Sequence, residues 1–140
     1  MKTDPSLVVA GALHIQIYRY QVPGYPDLIW DVTHAIQLVT AGQYAALVEL
    51  PREEMQNICQ RCKWDPEKLD GVNPKIPGIA APVVWEGRVT YMPIDGLHRI
   101  ARCLRDGLRF WMYCLTDEAS RECLLQGDDR LHPWGYEVAP

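Results

Sequence analysis

The run Pro93-Ile94-Asp95-Gly96-Leu97-His98-Arg99-Ile100-Ala101 is the densest concentration of chemistry in the chain. A strand ends there, a glycine follows and a helix begins. The first turn of a helix presents unpaired N–H groups and the positive end of the macrodipole, so it stabilises an anion. Gly96 lets a ligand approach the backbone, and the Leu97 and His98 amides complete a cradle. His98 and Arg99 add side-chain donors, and an arginine can grip a phosphate with two parallel bonds. Arg102, three residues beyond Arg99 and four beyond His98, falls on the adjoining helix surface. Asp95 is read as the N-cap. Phosphoryl chemistry also needs charge neutralisation and a group that positions the nucleophile. The carboxylates considered are Asp31, Glu49, Glu53, Glu54 and Asp95, and Glu49, at a strand end, is expected on the face of the Gly96 turn.

Each residue also has a plainer use. Gly96, His98 and Arg99 fit an ordinary helix start, Glu49 a solvated strand end, and Asp31 with His34 a solvated helix face. Arg99, Arg102, Arg105 and Arg109 fall within eleven residues and suit a nucleic-acid backbone, although Arg105 near a helix C-terminus is also what the dipole favours. Of the five tryptophans, Trp64 is the candidate for base stacking because it opens a long irregular stretch.

The elements that must position these residues alternate. Leu7 to Tyr20 ends in strand-like alternation, with Pro23, Gly24 and Pro26 marking a loop. Asp27 to Thr40 reads as a helix with Asp27 as N-cap, from Ile29, Val32, Ile36 and Val39 at spacings of three and four. Tyr44 to Leu50 reads as a strand, and Pro51 as the first residue of a helix reaching Cys62. Trp64 to Pro77 reads as an irregular connection. Ile79 to Trp85 and Arg88 to Ile94 form a hairpin about Glu86-Gly87, with Pro82 and Pro93 requiring edge or strand-end positions. Then come a helix Leu97 to Asp106 closed by Gly107, a buried strand Phe110 to Leu115, a helix Thr116 to Leu125 and a tail Gly127 to Pro140 carrying Trp134 and Tyr136. This order predicts one mixed α/β (α+β) domain: a strand–helix extension over 7–45, a core over 46–125 and a tail over 126–140.

The flanks of the signature resemble the ParB/sulfiredoxin superfamily, particularly small ParB-like members with an I-D-G-x-H-R-x-x-A motif. Ala81 to Asp95 is similar to that family's hairpin, Arg102 to Thr116 to its helix–strand–"L-T-x-E" sequence, and Leu47 to Met55 to its opening strand and helix. The likeness spans Leu47 to Leu125. It implies a mixed sheet flanked by helices and a nucleoside triphosphate bound with magnesium. On that likeness Gly96, His98 and Arg99 would hold its phosphates; the reading of the residues themselves adds Asp95, Leu97 and Arg102 around them and Glu49 beside His98 and Arg99 as the catalytic group, with water as nucleophile.

Departures narrow the choice. Leu97 stands where sulfiredoxins carry their reactive cysteine, and an apolar side chain cannot attack. Gly-Leu-His-Arg replaces the G-E-R-R box of partition proteins, and no helix-turn-helix follows. The expected function is therefore nucleotide binding with magnesium-dependent phosphohydrolase (ATPase) activity. The plasmid fertility-inhibition branch adds DNase activity or a role in plasmid partition or fertility inhibition. The alternatives are a non-enzymatic module binding a protein of a plasmid transfer or partition system, and a small-molecule kinase.

Composition sets bounds. The chain has 140 residues, 48% of them hydrophobic, a net charge of −4 and five cysteines. That excludes intrinsic disorder and argues against a generally basic nucleic-acid clamp. An odd cysteine count does not suit a secreted disulfide framework. Cys59 and Cys62 have CxxC spacing, but structural zinc needs two further ligands at a matching spacing, so packing is the expected use. No apolar run approaches the roughly 18 residues of a membrane span, and no signal peptide is apparent, so a cytoplasmic location is expected.

Overall fold

Strand β1 (Ile17–Tyr20) pairs antiparallel with β2 (Leu28–Asp31), and β2 pairs antiparallel with β7 (Leu124–Gln126), giving a three-stranded sheet in the order β1-β2-β7. A second, mixed sheet has the order β3-β6-β4-β5, from β3 (Tyr44–Glu49), β4 (Gly78–Trp85), β5 (Arg88–Asp95) and β6 (Trp111–Leu115). Its pairs are antiparallel except β4 with β6, which is parallel. Helices α1 (Val32–Thr40), α2 (Arg52–Arg61), α3 (Leu97–Asp106) and α4 (Asp117–Cys123) complete an α+β domain, with a short 3₁₀ helix at Pro66–Gly71. This computed structural model describes residues 16–21, 24, 26–85 and 88–127. The readings made for 7–15, for the Pro23 loop position, for the Glu86-Gly87 turn and for the tail beyond Gly127 lie outside the described residues. No helix among the described residues is long and apolar enough to cross a membrane.

The inner strands β4 and β6 of the larger sheet send buried residues to both of its faces, and β5 adds Ile94 to one of them. On one face Ile79, Ala81, Val83, Ile94 and Leu115 pack with Leu28 and Trp30 of the smaller sheet and with Ala35 and Ala119 of α1 and α4. On the other, Ala80 and Met112 pack with Met55 and Ile58 of α2, Ile100 and Cys103 of α3, and Phe110. Full burial of each large apolar side chain in these clusters contributes about 1.5–3 kcal/mol. Strand β3 is an edge, exposed along its whole length.

Several local readings change. The expected helix Asp27 to Thr40 is a strand followed by a helix: Leu28, Ile29 and Trp30 are buried in the small sheet, and Asp31, not Asp27, is the N-cap, accepting from the His34 N–H at 2.9 Å. Pro51 caps α2 in extended conformation rather than occupying its first turn. The connection read as irregular holds the 3₁₀ helix, capped by the Asp65 carboxylate accepting from the Glu67 N–H. The expected last helix stops at Cys123, and Leu124–Gln126 turns into β7. Pro93 lies on the edge strand β5, as its missing N–H demands. Pro82 lies in an inner strand, but β4 pairs with β6 only over Gly78–Ala80, so at Pro82 that side of β4 has no strand partner to disappoint.

Candidate functional site

The signature is the corner where β5 turns into α3. Asp95 still pairs with Ile79 across the hairpin, and α3 begins two residues later, so the chain must reverse at Gly96. Gly96 does this with φ 108° and ψ 14°, in the left-handed region. A Cβ there would stand 3.1 Å from the Gly78 Cα and 3.3 Å from the Phe110 ring, so the corner is also a close packing of two glycines. Gly96 is itself the N-cap and offers no side-chain acceptor. The expectation that Asp95 caps the helix is thus corrected: its carboxylate lies one residue too early and turns to Arg99, with Oδ2 2.7 Å from Nη2. The first intrahelical bond is donated by the Ile100 N–H to the Gly96 carbonyl.

This helix start opens on a cleft of about 330 Å³. Gln16, Tyr18, Val72 and Pro93 line it beside Asp95, Gly96, Leu97, His98 and Arg99. A larger groove of about 700 Å³ lies alongside, between α1 residues Ile36 and Val39 and the sheet residues Ile79 and Tyr113. Gln16, Asp95 and Arg99 line both.

The polar side chains of the signature converge, but on the chain's own connection between α2 and β4. His98 Nε2 accepts from the Asp65 N–H at 3.0 Å. Arg99 donates to the Ile76 and Pro77 carbonyls at 3.2 and 2.8 Å and to Asp95. Arg102 donates to the carbonyls of Leu69, Asp70 and Val72 at 3.4, 3.2 and 2.8 Å, and to Asp106 at 3.4 Å. These carbonyls belong to the end of the 3₁₀ helix and the turn after it, which lack partners in an open helix end. Leu97 turns its side chain toward the α2–α3 core.

Glu49 does not join this group. It sits at the same end of the large sheet as Asp95, but β6 and β4 lie between their strands. Three inter-strand spacings separate them by about 14 Å. Its carboxylate is gripped by Arg109 through two bonds, at 2.9 and 2.7 Å, which hold it below the usual carboxylate range. The expectation that Glu49 faces the Gly96 turn as a catalytic group is therefore corrected. Arg105 likewise pairs with Asp70 and Asp106, and Arg109 also lies over the Trp111 ring at 5.1 Å. All four clustered arginines thus have acceptors within the chain. Trp64 donates its Nε1–H to the Cys59 carbonyl and is half-buried, so it is no free stacking platform. Asp31 caps α1 rather than forming a pair with His34, which reaches Glu122 on α4 at 2.7 Å.

Among the described residues no group of three or more His, Cys, Asp or Glu converges on a metal position. The five cysteines are free thiols, and burial pushes each of them up from its ordinary value. Asp95 is the one carboxylate among the residues lining the smaller cleft, and it is committed to Arg99. These side chains do not fit a protein-held magnesium, which ordinarily takes one or two free carboxylates beside the phosphates.

Four lining residues escaped the sequence reading. Ile17 and Tyr18 come from β1, Gln16 immediately precedes it, and Val72 comes from the connection. Only the alternation about Ile17 pointed toward a strand there, and nothing local said that it would border α3. Compared with family models, curated proteins and solved structures, the chain matches none.

Proposed function

We propose that the chain binds a nucleoside triphosphate, with the phosphates at the amides of Leu97, His98 and Arg99. One observation carries this reading: a helix start with no side-chain cap opens directly onto a cleft of about 330 Å³. Phosphate is the chemistry that such a start favours. The Asp95–Arg99 pair leaves the mouth without net charge from those two residues. The likeness of Ile94-Asp95-Gly96-Leu97-His98-Arg99 to the ParB/sulfiredoxin motif points to the same ligand.

Hydrolysis finds less support than binding. With Glu49 held by Arg109 on another strand, no unpaired carboxylate lines the cleft to orient a water, and no step is routed through magnesium. Nor do the clustered arginines support DNA binding, since each is hydrogen-bonded within the chain. The same commitment of His98, Arg99 and Arg102 to the connection favours a second reading, a non-enzymatic module that keeps the corner for structure and binds a protein of a transfer or partition system.

Calorimetric titration of ATP, CTP and GTP separates the two. The comparison is wild type with His98→Glu, because a carboxylate in the first turn suits the helix dipole while repelling a phosphate. The expected result is binding by wild type that weakens at least about tenfold in His98→Glu, a difference of 1.4 kcal/mol, with helicity retained. Absence of binding by wild type to all three nucleotides overturns the nucleotide reading and leaves the interaction module.

A further inference from the structure

A second cleft, of about 580 Å³, lies between β1 and the C-terminal end of α2. Tyr18, Tyr20, Met92 and Leu97 make it apolar and aromatic, and Arg61 and Lys63 stand exposed at it. Although the chain as a whole carries a net charge of −4, no carboxylate among the described residues lines this cleft. A third lining cation, Arg19, is paired with Asp27 at 3.0 Å. Arg61 donates only to its own helix, at the Asn57 carbonyl, and neither it nor Lys63 pairs with a carboxylate among the described residues. Tyr18, Pro93 and Leu97 line both this cleft and the one at the start of α3, so the two are neighbours.

We infer that this cleft receives the heteroaromatic base of the nucleotide whose phosphates lie at the start of α3, so that one ligand spans both clefts. The inference rests on the phosphate reading above and adds the other end of the ligand to it. A base offers flat π-faces, which stack on tyrosine rings whatever the sequence of substituents. Met92 supplies a polarisable sulfur, already 3.9 Å from the Tyr18 hydroxyl, that packs well against aromatic rings. Arg61 adds a planar cation that lies favourably over a π-face. Among the described residues β1 is the edge of its sheet, with no strand partner on the side away from β2, and its backbone groups there can meet the polar rim of a base. The volume falls in the range of small-molecule sites. Tyr18 and Tyr20 precede Leu47, where the family likeness begins, so that likeness assigns them no role.

Titration of the full chain with ATP and with tripolyphosphate, which has the phosphates and no base, tests the inference. ATP is expected to bind about tenfold more tightly than tripolyphosphate, since a stacked base contributes between about fivefold and a hundredfold. In Tyr20→Ala, which alters the second cleft and not the one at the start of α3, that ratio is expected to fall toward one, with tripolyphosphate affinity unchanged. Because Tyr20 also packs against the core and its loss can unfold the chain, photolabelling of wild type with 8-azido-ATP and peptide mapping is the second readout. Label within 16–21 or 58–63 supports the inference. Equal affinity for the two ligands in wild type, or label confined to other peptides, overturns it and leaves the phosphate reading standing. Binding of neither ligand overturns the phosphate reading and this inference together.

Discussion

Replacing Gly96 by alanine tests the geometry on which the site depends. The glycine has φ 108°, a conformation that costs an L-residue about 1–2 kcal/mol. The added Cβ would also stand 3.1 Å from the Gly78 Cα and 3.3 Å from the Phe110 ring. The first neighbour is backbone and the second a ring that is 1% exposed, so neither can swing aside. Overpacking of that kind adds about 1–3 kcal/mol, for a total near 2–5 kcal/mol. Gly107, the C-cap of α3, provides the internal control. It too has a positive φ, 69°, but an added Cβ meets nothing within 4 Å, so Gly107→Ala carries the conformational cost alone. Urea denaturation followed by far-ultraviolet circular dichroism gives both numbers, provided that the denaturant slope is unchanged between variants. The expected order is Gly96→Ala more destabilising than Gly107→Ala by about 1–3 kcal/mol. If the two variants are equally stable, the close approach of α3 to the start of β4 is refuted, and with it the reason that the helix start is held where the cleft needs it.

Arg102→Met keeps the aliphatic stem and removes the donors that hold the Asp70 and Val72 carbonyls; it is expected to cost about 1–2 kcal/mol and to raise amide hydrogen exchange in Pro66–Gly71 more than in α2. Unchanged exchange there would remove Arg102 from the clasp. His34 is raised above its ordinary 6.5, first by its hydrogen bond to Glu122, so its contribution is fully present below pH 6.5 and is lost as pH rises through the folded value. Both partners are substantially exposed, so Glu122→Gln is expected to cost only about 0.5 kcal/mol between about pH 5 and 6.5 and less above, read as a difference in Tm. A larger cost at alkaline pH would contradict that sign. Burial pushes the Cys123 thiol up to about 12 and also raises Cys103 and Cys114, so iodoacetamide at about pH 8 is expected to leave these three unmodified in the native chain while labelling them readily in urea.

Elements with punctuation at both ends were legible in the sequence. Helix α3 runs between Gly96 and Gly107, both at positive φ, and β3, the β4–β5 hairpin and β6 are short runs of apolar or β-branched residues. Strand β2 was not legible, because Ile29, Val32, Ile36 and Val39 continue one helical period across the Asp31 boundary. What makes Leu28–Asp31 a strand is its pairing with β7, whose partner residues lie more than ninety positions away. The site divides along the same line. The positions of Gly96, His98 and Arg99 followed from local spacing, whereas the partners of His98 and Arg99 include the Asp65 N–H and the Ile76 and Pro77 carbonyls, backbone groups that leave no mark in side-chain types. Glu49 was misplaced for a related reason: only the strand order β3-β6-β4-β5 separates it from the corner and delivers it to Arg109.

The clasp has an energetic consequence for any anion at α3. Arg99 makes three charge-assisted bonds to its own chain, so a phosphate recruiting it must replace the Ile76 and Pro77 carbonyls and the Asp95 carboxylate, and the net gain is the small difference between two strong sets. The helix amides carry no such prior claim from a capping side chain at Gly96. Differential affinity therefore comes from the backbone first. Through Nε2, His98 meets a phosphate oxygen only by giving up the Asp65 N–H, since that atom must change from acceptor to donor. That exchange ties occupancy of the cleft to release of the connection at Asp65. The coupling runs both ways: a ligand that recruits His98 loosens the connection, and whatever stabilises the connection against His98 weakens that ligand by the same factor.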